Sequence, residues 1–515
     1  MKLPLINQKT SRRKQIGEFA GINEMDVINE NEFSAMKNIS SCHYPAIGTR
    51  PPRGKVIKQL QNPNGMYYKN GLIYVDGTKL YYKDQEIATV ENNKKQIVGM
   101  GAYVVIFPDK IVYNTQTGEV KNIEQTWQQE AAATIGPVIA GSTFIKISCT
   151  GIGKKFEKYD AIEISGCTVN QDLNKTTVIQ DKEDNYIVII GTVEKEVTQA
   201  NGIIVKRKAP DMDFVTQSEN RIWGCSSKNH EIYACKLGDP TNWNAFEGIS
   251  TDSYTATVGS DGDFTGAITH LGYVLFFKED VIHKLYGSKP ANTQITTMPL
   301  RGVAKGCEKS LCIVNETLYY AARNNICSYE GAMPYSISEV IKQDYEQASA
   351  GQYDNKYYVS LKTNAGWRLY VYDPALKMWH MEDDTEMRYT AYGEGKLYYI
   401  NQDNRLLTIA DSMEVERIEW CLESGDLLES DLNKKRIKKL QIMIELEKDA
   451  YMELDIKTEN DSLWKRLQTF RPSEKTVFTV PLIPNRCNHY RYRLQGAGGF
   501  KLFGMGKTIQ DGSNR

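Results

Sequence analysis

The sequence has no apolar run long enough to cross a membrane: AYVVIF at residues 102–107, the longest near its middle, falls far short of the ~20 residues a spanning helix needs. Residues 1–14 carry no apolar stretch of the secretory-signal kind, so the chain reads as soluble, made and kept in a cytoplasm unless another route releases it. Charge of one sign is also missing. With 63 Lys and Arg against 64 Asp and Glu, no global field draws the protein to nucleic acid or membrane, and any such binding has to be local. The ten cysteines include no CxxC pair, and in a chain of 515 residues they read as reduced, buried, small apolar side chains rather than a disulfide framework. Long Ala, Leu, Glu and Lys helical blocks are absent, whereas tyrosine reaches 31 and glycine 39, which is a β composition.

Catalytic signatures are equally scarce. His43, His230, His270, His283, His380 and His489 form no HxH or HxxxH pair, and there is no GxSxG, Walker A loop or dinucleotide GxGxxG. No catalytic, cofactor-binding or metal-binding residue is therefore assigned, and the expectation is a protein that is not an enzyme and holds no cofactor. The carboxylates Asp261 and Asp263, and Glu382, Asp383 and Asp384, have the chemistry to chelate Ca²⁺ or to pair as glycosidase acid and nucleophile, but turn chemistry explains them as well. The basic run at 434–439 reads as the solvated end of an edge strand. Trp243, Trp367 and Trp379 can stack on sugars, yet at repeated positions they read first as packing.

What is present is a repeated sheet unit. Around residues 217–246 a short apolar strand (RIW), a polar turn (SSKN), a second strand (EIYACKL) and a Gly-Asp-Pro break make one hairpin, and the same rhythm recurs on both sides. Two units lie in 58–124 and five in 214–411; YVLFF at 273–277, TLYY at 317–320, KYYV at 356–359 and KLYYI at 396–400 read as equivalent strands. About seven units of four-stranded length predict an all-β fold, a β-propeller. The rhythm breaks over 125–213, where strands joined by Gly and Asn turns predict an inserted small β-barrel or sandwich, with 126–133 as a short helix or irregular link. Over 412–515 strict alternation, clearest at Leu440, Ile442, Ile444 and Leu446 and again at Met452, Leu454 and Ile456, predicts a half-buried hairpin within a C-terminal β-sandwich. Residues 1–57 read as an extended N-terminal arm with short apolar anchors and a Pro-Pro exit, either packing across something else or closing the fold's own sheet.

Three stretches carry a resemblance: FAGIN and EFSAMKNIS in the arm, ENRIWGCSSKNHEIYACKLGDPTNW at 219–243, and VPLIPNRCNHYRYRLQGAGGFKLFGMGKTIQDGS at 480–513. In their order the chain resembles virion structural proteins encoded in tailed bacteriophages and prophages of Gram-positive bacteria. It is similar in architecture to the propeller proteins of short-tailed phages that act as tail hub, nozzle or DNA-stabilisation protein. The resemblance implies a protein synthesised in the bacterial host cytoplasm and located in the virion tail. There, copies of the chain form a ring, sixfold by the resemblance, that touches the adaptor, portal or other tail proteins and retains and channels packaged DNA without sequence recognition. Phe19, Ile22, Phe33, Met36, Arg50 and Arg53 are the expected interface anchors. A net charge of −1 departs from an acidic channel lining. The rival expectations are a host-surface glycan-binding (receptor-binding) tail protein and a cell-wall glycosidase using Asp261, Asp263, Glu382 or Asp383.

Overall fold

The structure is a computed structural model that describes residues 11–411, 413–428, 434–473, 476–482 and 486–511. The first ten residues of the expected arm, position 412 and the tip of the last quoted stretch lie outside the described residues. Within them the chain forms 48 strands and three 3-10 turns. No helix among the described residues is long and apolar enough to cross a membrane. Backbone contacts divide the chain into two compact units, one of residues 61–308 with 331–333, the other of residues 1–60, 309–330 and 334–515.

The first unit holds four antiparallel four-stranded meanders, at 63–89, 96–122, 214–257 and 266–298. Each follows chain order, the blade pattern of a propeller. The second strand of a meander has neighbours on both sides and sheet on both faces, so it reads as a continuous apolar run: Tyr103–Phe107 and Tyr273–Phe277 are almost wholly buried. At the turn before the second strand, Glu219 and Asn220 both take positive φ, as do Leu271 and Gly272, the two-residue geometry whose twist matches a hairpin.

The segment expected as an insertion forms one eight-stranded sheet between Gln125 and Arg207, and it contains no α-helix. Of residues 126–133, which the sequence allows as a short helix or a link, 126–128 belong to the strand Gln125–Gln128, paired to Ile204–Arg207, with Trp127 turned into the core, and Ala133 opens the strand Ala133–Pro137. Isoleucines from nearly every strand, among them Ile135, Ile147, Ile164, Ile179 and Ile189, share one cluster, so the sheet is rolled around a single core. Gln129 joins its ends: the side-chain Nε2 donates to Gln199 O at 2.7 Å while Oε1 accepts from Ile203 N at 3.0 Å.

The second unit holds three more meanders, at 312–336, 345–381 and 389–408. The last takes its fourth strand from far upstream, Lys58–Gln59 pairing with Arg405 and Leu406. Here too Asn315 with Glu316, Asp354 with Asn355 and Glu394 with Gly395 make paired positive-φ turns. Seven blades in all, an inserted small β domain and a C-terminal β-sandwich make this an all-β propeller protein.

The sandwich consists of a seven-stranded and a five-stranded sheet. Trp420 stacks on Phe500 at 3.8 Å between ring centroids, and Phe470 meets Phe478 edge-on at 4.9 Å, each pair bridging the two sheets. Two expectations are corrected here. The alternating strands Lys435–Leu446 and Tyr451–Thr458 are half-buried as read, but they do not pair: the first lies between Phe500–Asp511 and Val477–Pro481, the second between Tyr490–Ala497 and Lys465–Phe470. Alternation reports which face is buried and is blind to the partner, and the turn at 447–450 crosses from one sheet to the other. For the same reason the basic run at 434–439 enters a strand paired on both sides rather than an edge, and Lys435 is 2% exposed.

Of the two readings of the N-terminal arm, the described residues follow the second, closing the fold's own sheets. Ser11–Ile16 pairs with residues 505–510, Phe33–Lys37 with the strand Glu419–Ser424, and Ile39–Ser40 with Ile47–Thr49, which in turn joins Leu502. The described arm is thus built into both sheets of the chain's own sandwich. Between these strands Ile22 N donates to Trp379 O at 2.8 Å, and Gly21 sits at φ +85 where a Cβ would lie 2.2 Å from that same carbonyl. Phe33, 0% exposed, packs on Phe19 with ring centroids 5.7 Å apart. Phe33→Ala is expected to cost about 3–5 kcal/mol in urea unfolding; a loss below about 1 kcal/mol would show that the segment is not part of the folded core.

Candidate functional site

Two sets of residues singled out in the sequence for different reasons meet in the second unit. The Arg50-Pro51-Pro52-Arg53 run is held extended because proline fixes φ and bars helix before it, and a chain with about three residues per turn presents positions 50 and 53 on one side. Glu382 and Asp383 follow the last strand of the sixth blade, Met378–Met381. Arg53 reaches both carboxylates, its NH2 lying 2.7 Å from Glu382 Oε2 and 2.9 Å from Asp383 Oδ2, while its NH1 donates to Ile409 O at 2.8 Å. Arg50 grips Glu416 with two parallel hydrogen bonds of 3.0 Å each, donates through Nε to Asn38 Oδ1 at 2.7 Å, and stands 3.6 Å from Asp383.

The cluster is deeply set: Glu382 is 0% exposed, Arg50 5%, and the Arg53 side chain 12%. Two guanidinium charges face three carboxyls, and the imbalance falls on the most buried one. Burial pushes the Glu382 pKa up and Arg53 only partly offsets it. Burial acts the same way on Asp383, but Arg53 and Arg50 together overcome it and hold that carboxyl down at about 2. Glu416 is likewise lowered, burial being outweighed by its bidentate Arg50. Arg53 is raised well above its ordinary value, because Asp383 and Glu382 outweigh the burial that would lower it.

Asn38 completes the arrangement. Its backbone N–H donates to Glu382 O, its Nδ2 to Glu419 O at 2.7 Å, and its φ of +58 turns the chain between the strands at 33–37 and 39–40. Neither Asn38 nor Glu416 had a signal in the sequence beyond residue type, since their roles depend on residues more than 300 positions away.

Such an arrangement locks segments together; it does not transform a substrate. A general acid has to reach the atom it protonates, whereas Glu382 is sealed beneath Arg53. Asp261 and Asp263 lie on an exposed loop of the other unit, with Lys305 3.7 Å from Asp263. Among the described residues no three His, Cys, Asp or Glu side chains gather as a metal site. Seven of the ten cysteines are buried. Trp243 and Trp379 are 2% exposed and donate to Pro240 O and Ile337 O, which makes them packing residues. The six expected anchors are buried within this chain's own fold: Phe19, Ile22, Phe33 and Met36 are 0–4% exposed, and Arg50 and Arg53 pair with this chain's own carboxylates.

No protein-family model and no curated protein matches the chain. Among solved structures it is similar to BamB from Moraxella catarrhalis at 10% identity, covering 72% of this chain and 99% of that one with a TM-score of 0.35. It is also similar to Kluyveromyces lactis Hsv2 (6%, covering 63% and 97%, TM-score 0.27) and to the phage phi92 endosialidase (10%, covering 72% and 56%, TM-score 0.18). At such TM-scores none of these likenesses bears on function.

Two outcomes follow from the cluster. Arg53→Met strands two buried carboxylates and is expected to cost about 3–5 kcal/mol, while Arg53→Met combined with Glu382→Leu and Asp383→Leu recovers part of that loss; an unaltered chemical-denaturation midpoint in the single variant would refute the lock. The second concerns His380, two residues before Glu382. It is wholly buried, neither ring nitrogen has a hydrogen-bond partner among the described residues, and burial followed by the Lys356 charge lowers its pKa to about 3. The unfolded chain then binds a proton that the folded chain refuses between about 6.5 and about 3, so stability is full above that window and is lost as pH falls through it. His380→Phe should flatten the stability–pH slope by up to about 1.4 kcal/mol per pH unit there; an unchanged slope would contradict the assignment.

Proposed function

We propose that this chain is a non-enzymatic structural component of a bacteriophage tail, a hub, nozzle or head-to-tail connector that assembles as a ring in the virion. Packaged DNA would be retained and guided by contact with such a ring, with no base recognition. The observation that carries the reading is the arginine–carboxylate lock. Glu382 and Asp383, two of the four carboxylates with the chemistry for hydrolysis, are paired inside the fold, where with Arg50 and Arg53 they tie the N-terminal segment, two blades and the start of the sandwich together within their unit. Rigid sheets with their polar groups spent internally suit a spacer between neighbours better than a turnover site. The resemblance of the three quoted stretches to tailed-phage virion proteins supplies the setting. Because the described arm is internal, ring contacts on this reading come from other surfaces.

Immunogold electron microscopy of phage particles, with an antibody against the C-terminal sandwich, tests the proposal. Label at the head–tail junction or along a short tail is the expected result. Label confined to the distal tip would favour a receptor-binding role instead, and particles without label would overturn the virion reading.

A further inference from the structure

A cleft of about 560 Å³ opens in the first unit between the inserted domain and two blades. Its floor is a closed account. Arg207, 6% exposed, pairs with Asp160 at 2.6 Å and donates to Ile123 O and Asn122 O; Asp160 also accepts from Glu157 N and from the Asn242 amide. Those groups neutralise one another and hold the inserted domain to the blades, so nothing on the floor is left to take a ligand.

The rim differs. Lys121, Lys154, Lys155 and Lys158 stand there against Glu119 and Glu157, and Glu157 is itself drawn toward Lys182 at 3.5 Å; Asp239 also lines the cleft, its carboxylate accepting from Thr241 N–H and hydroxyl and from the Asn242 amide. The acidic partners of the rim lysines are weak ones: Lys154 to Asp184 at 4.0 Å, Lys158 to Asp181 at 3.4 Å and Lys121 to Glu119 at 3.2 Å, with every side chain in these pairs between 48% and 74% exposed. Lys155 is bound only to a carbonyl, Thr126 O, at 3.0 Å. Exposed pairs of this kind hold about 0–1 kcal/mol each, so the ammonium groups can swing to a better anion at little cost. Inside the rim lie the Tyr103 ring and the Asn114 amide, whose Oδ1 is used by Gln116 and Thr117 N–H while its NH2 donates to nothing among the described residues.

We infer that this cleft binds a phosphate-bearing polyol or sugar chain, its phosphates held by Lys121, Lys154 and Lys158 and its hydroxyls by Asn114 and Tyr103. The volume falls in the range of small-ligand sites, about 300–1,000 Å³. Duplex DNA shares the phosphate chemistry, but it is a stiff rod with phosphates on its convex surface and can touch the rim without entering. A flexible chain that alternates phosphate with hydroxyl-bearing carbon matches both the lysine rim and the Tyr103 hydroxyl and Asn114 amide that line the cleft with it. The inference is independent of the tail reading.

Calorimetric titration of the full chain tests it, with a short poly(glycerol phosphate), glycerol and a short DNA duplex as probes. Saturable binding of poly(glycerol phosphate) is expected, with none of glycerol. The combined Lys121→Glu, Lys154→Glu and Lys158→Glu variant should lose at least about tenfold in affinity, and Lys305→Glu, a still more exposed lysine not among those lining the cleft, should lose none. If the triple variant misfolds, Lys154→Gln with Lys158→Gln makes the same comparison. No saturable binding, an equal loss in Lys305→Glu, or tighter binding of the duplex than of poly(glycerol phosphate) would overturn the assignment.

Discussion

A guanidinium taken out of water must meet carboxylates in the same place, and around Arg53 that demand gathers one unit of this protein. Glu382 and Asp383 come from the end of the sixth blade, Ile409 from the end of the seventh, and Glu416, which binds both Arg50 and the Arg53 backbone N–H, from the approach to the sandwich. Removing one charge leaves its partners buried and unpaired, a cost larger than the net worth of the ion pairs themselves. That asymmetry favours the pairing of Arg50 and Arg53 with these carboxyls over leaving either guanidinium unmatched.

Backbone pairing works to the same end. The twelve-residue strand 500–511 pairs with 435–446 on one side and is covered on the other by the N-terminal segment, through residues 11–16 and 47–48, while residues 33–37 lie along strand 419–424 of the opposite sheet. The seventh blade is completed in the same way by Lys58–Gln59. Strand addition from distant sequence therefore recurs in this unit, and the polar Asn38 and Arg50 sit where the chain passes from one such task to the next.

Much of this was legible without coordinates. The equivalent strands at 273–277, 317–320, 356–359 and 396–400 are each the second strand of a blade, and they stood out because a strand flanked on both sides and both faces is apolar throughout. The strands at 435–446 and 451–458 were visible from alternation, yet their partners were not, since period two says nothing about which neighbour supplies the hydrogen bonds. The lysine-rimmed cleft had no linear signature at all: Lys121, the lysines at 154–158 and Arg207 are scattered along nearly ninety positions and converge only because the inserted sheet rolls back on the blades.

What the amino-acid order determined by itself was local: strand periodicity, positive-φ turns at Asn, Asp and Gly, the extended Pro-Pro run, and the recurrence of about seven hairpin units, because each depends on residues within a few positions of one another. Tertiary structure alone decided which strands share a sheet, that the arm is internal, and that Arg50 and Arg53 answer Glu416, Glu382 and Asp383. Those are choices among many chemically equal partners, and only the full set of buried charges and backbone groups, satisfied together, selects one.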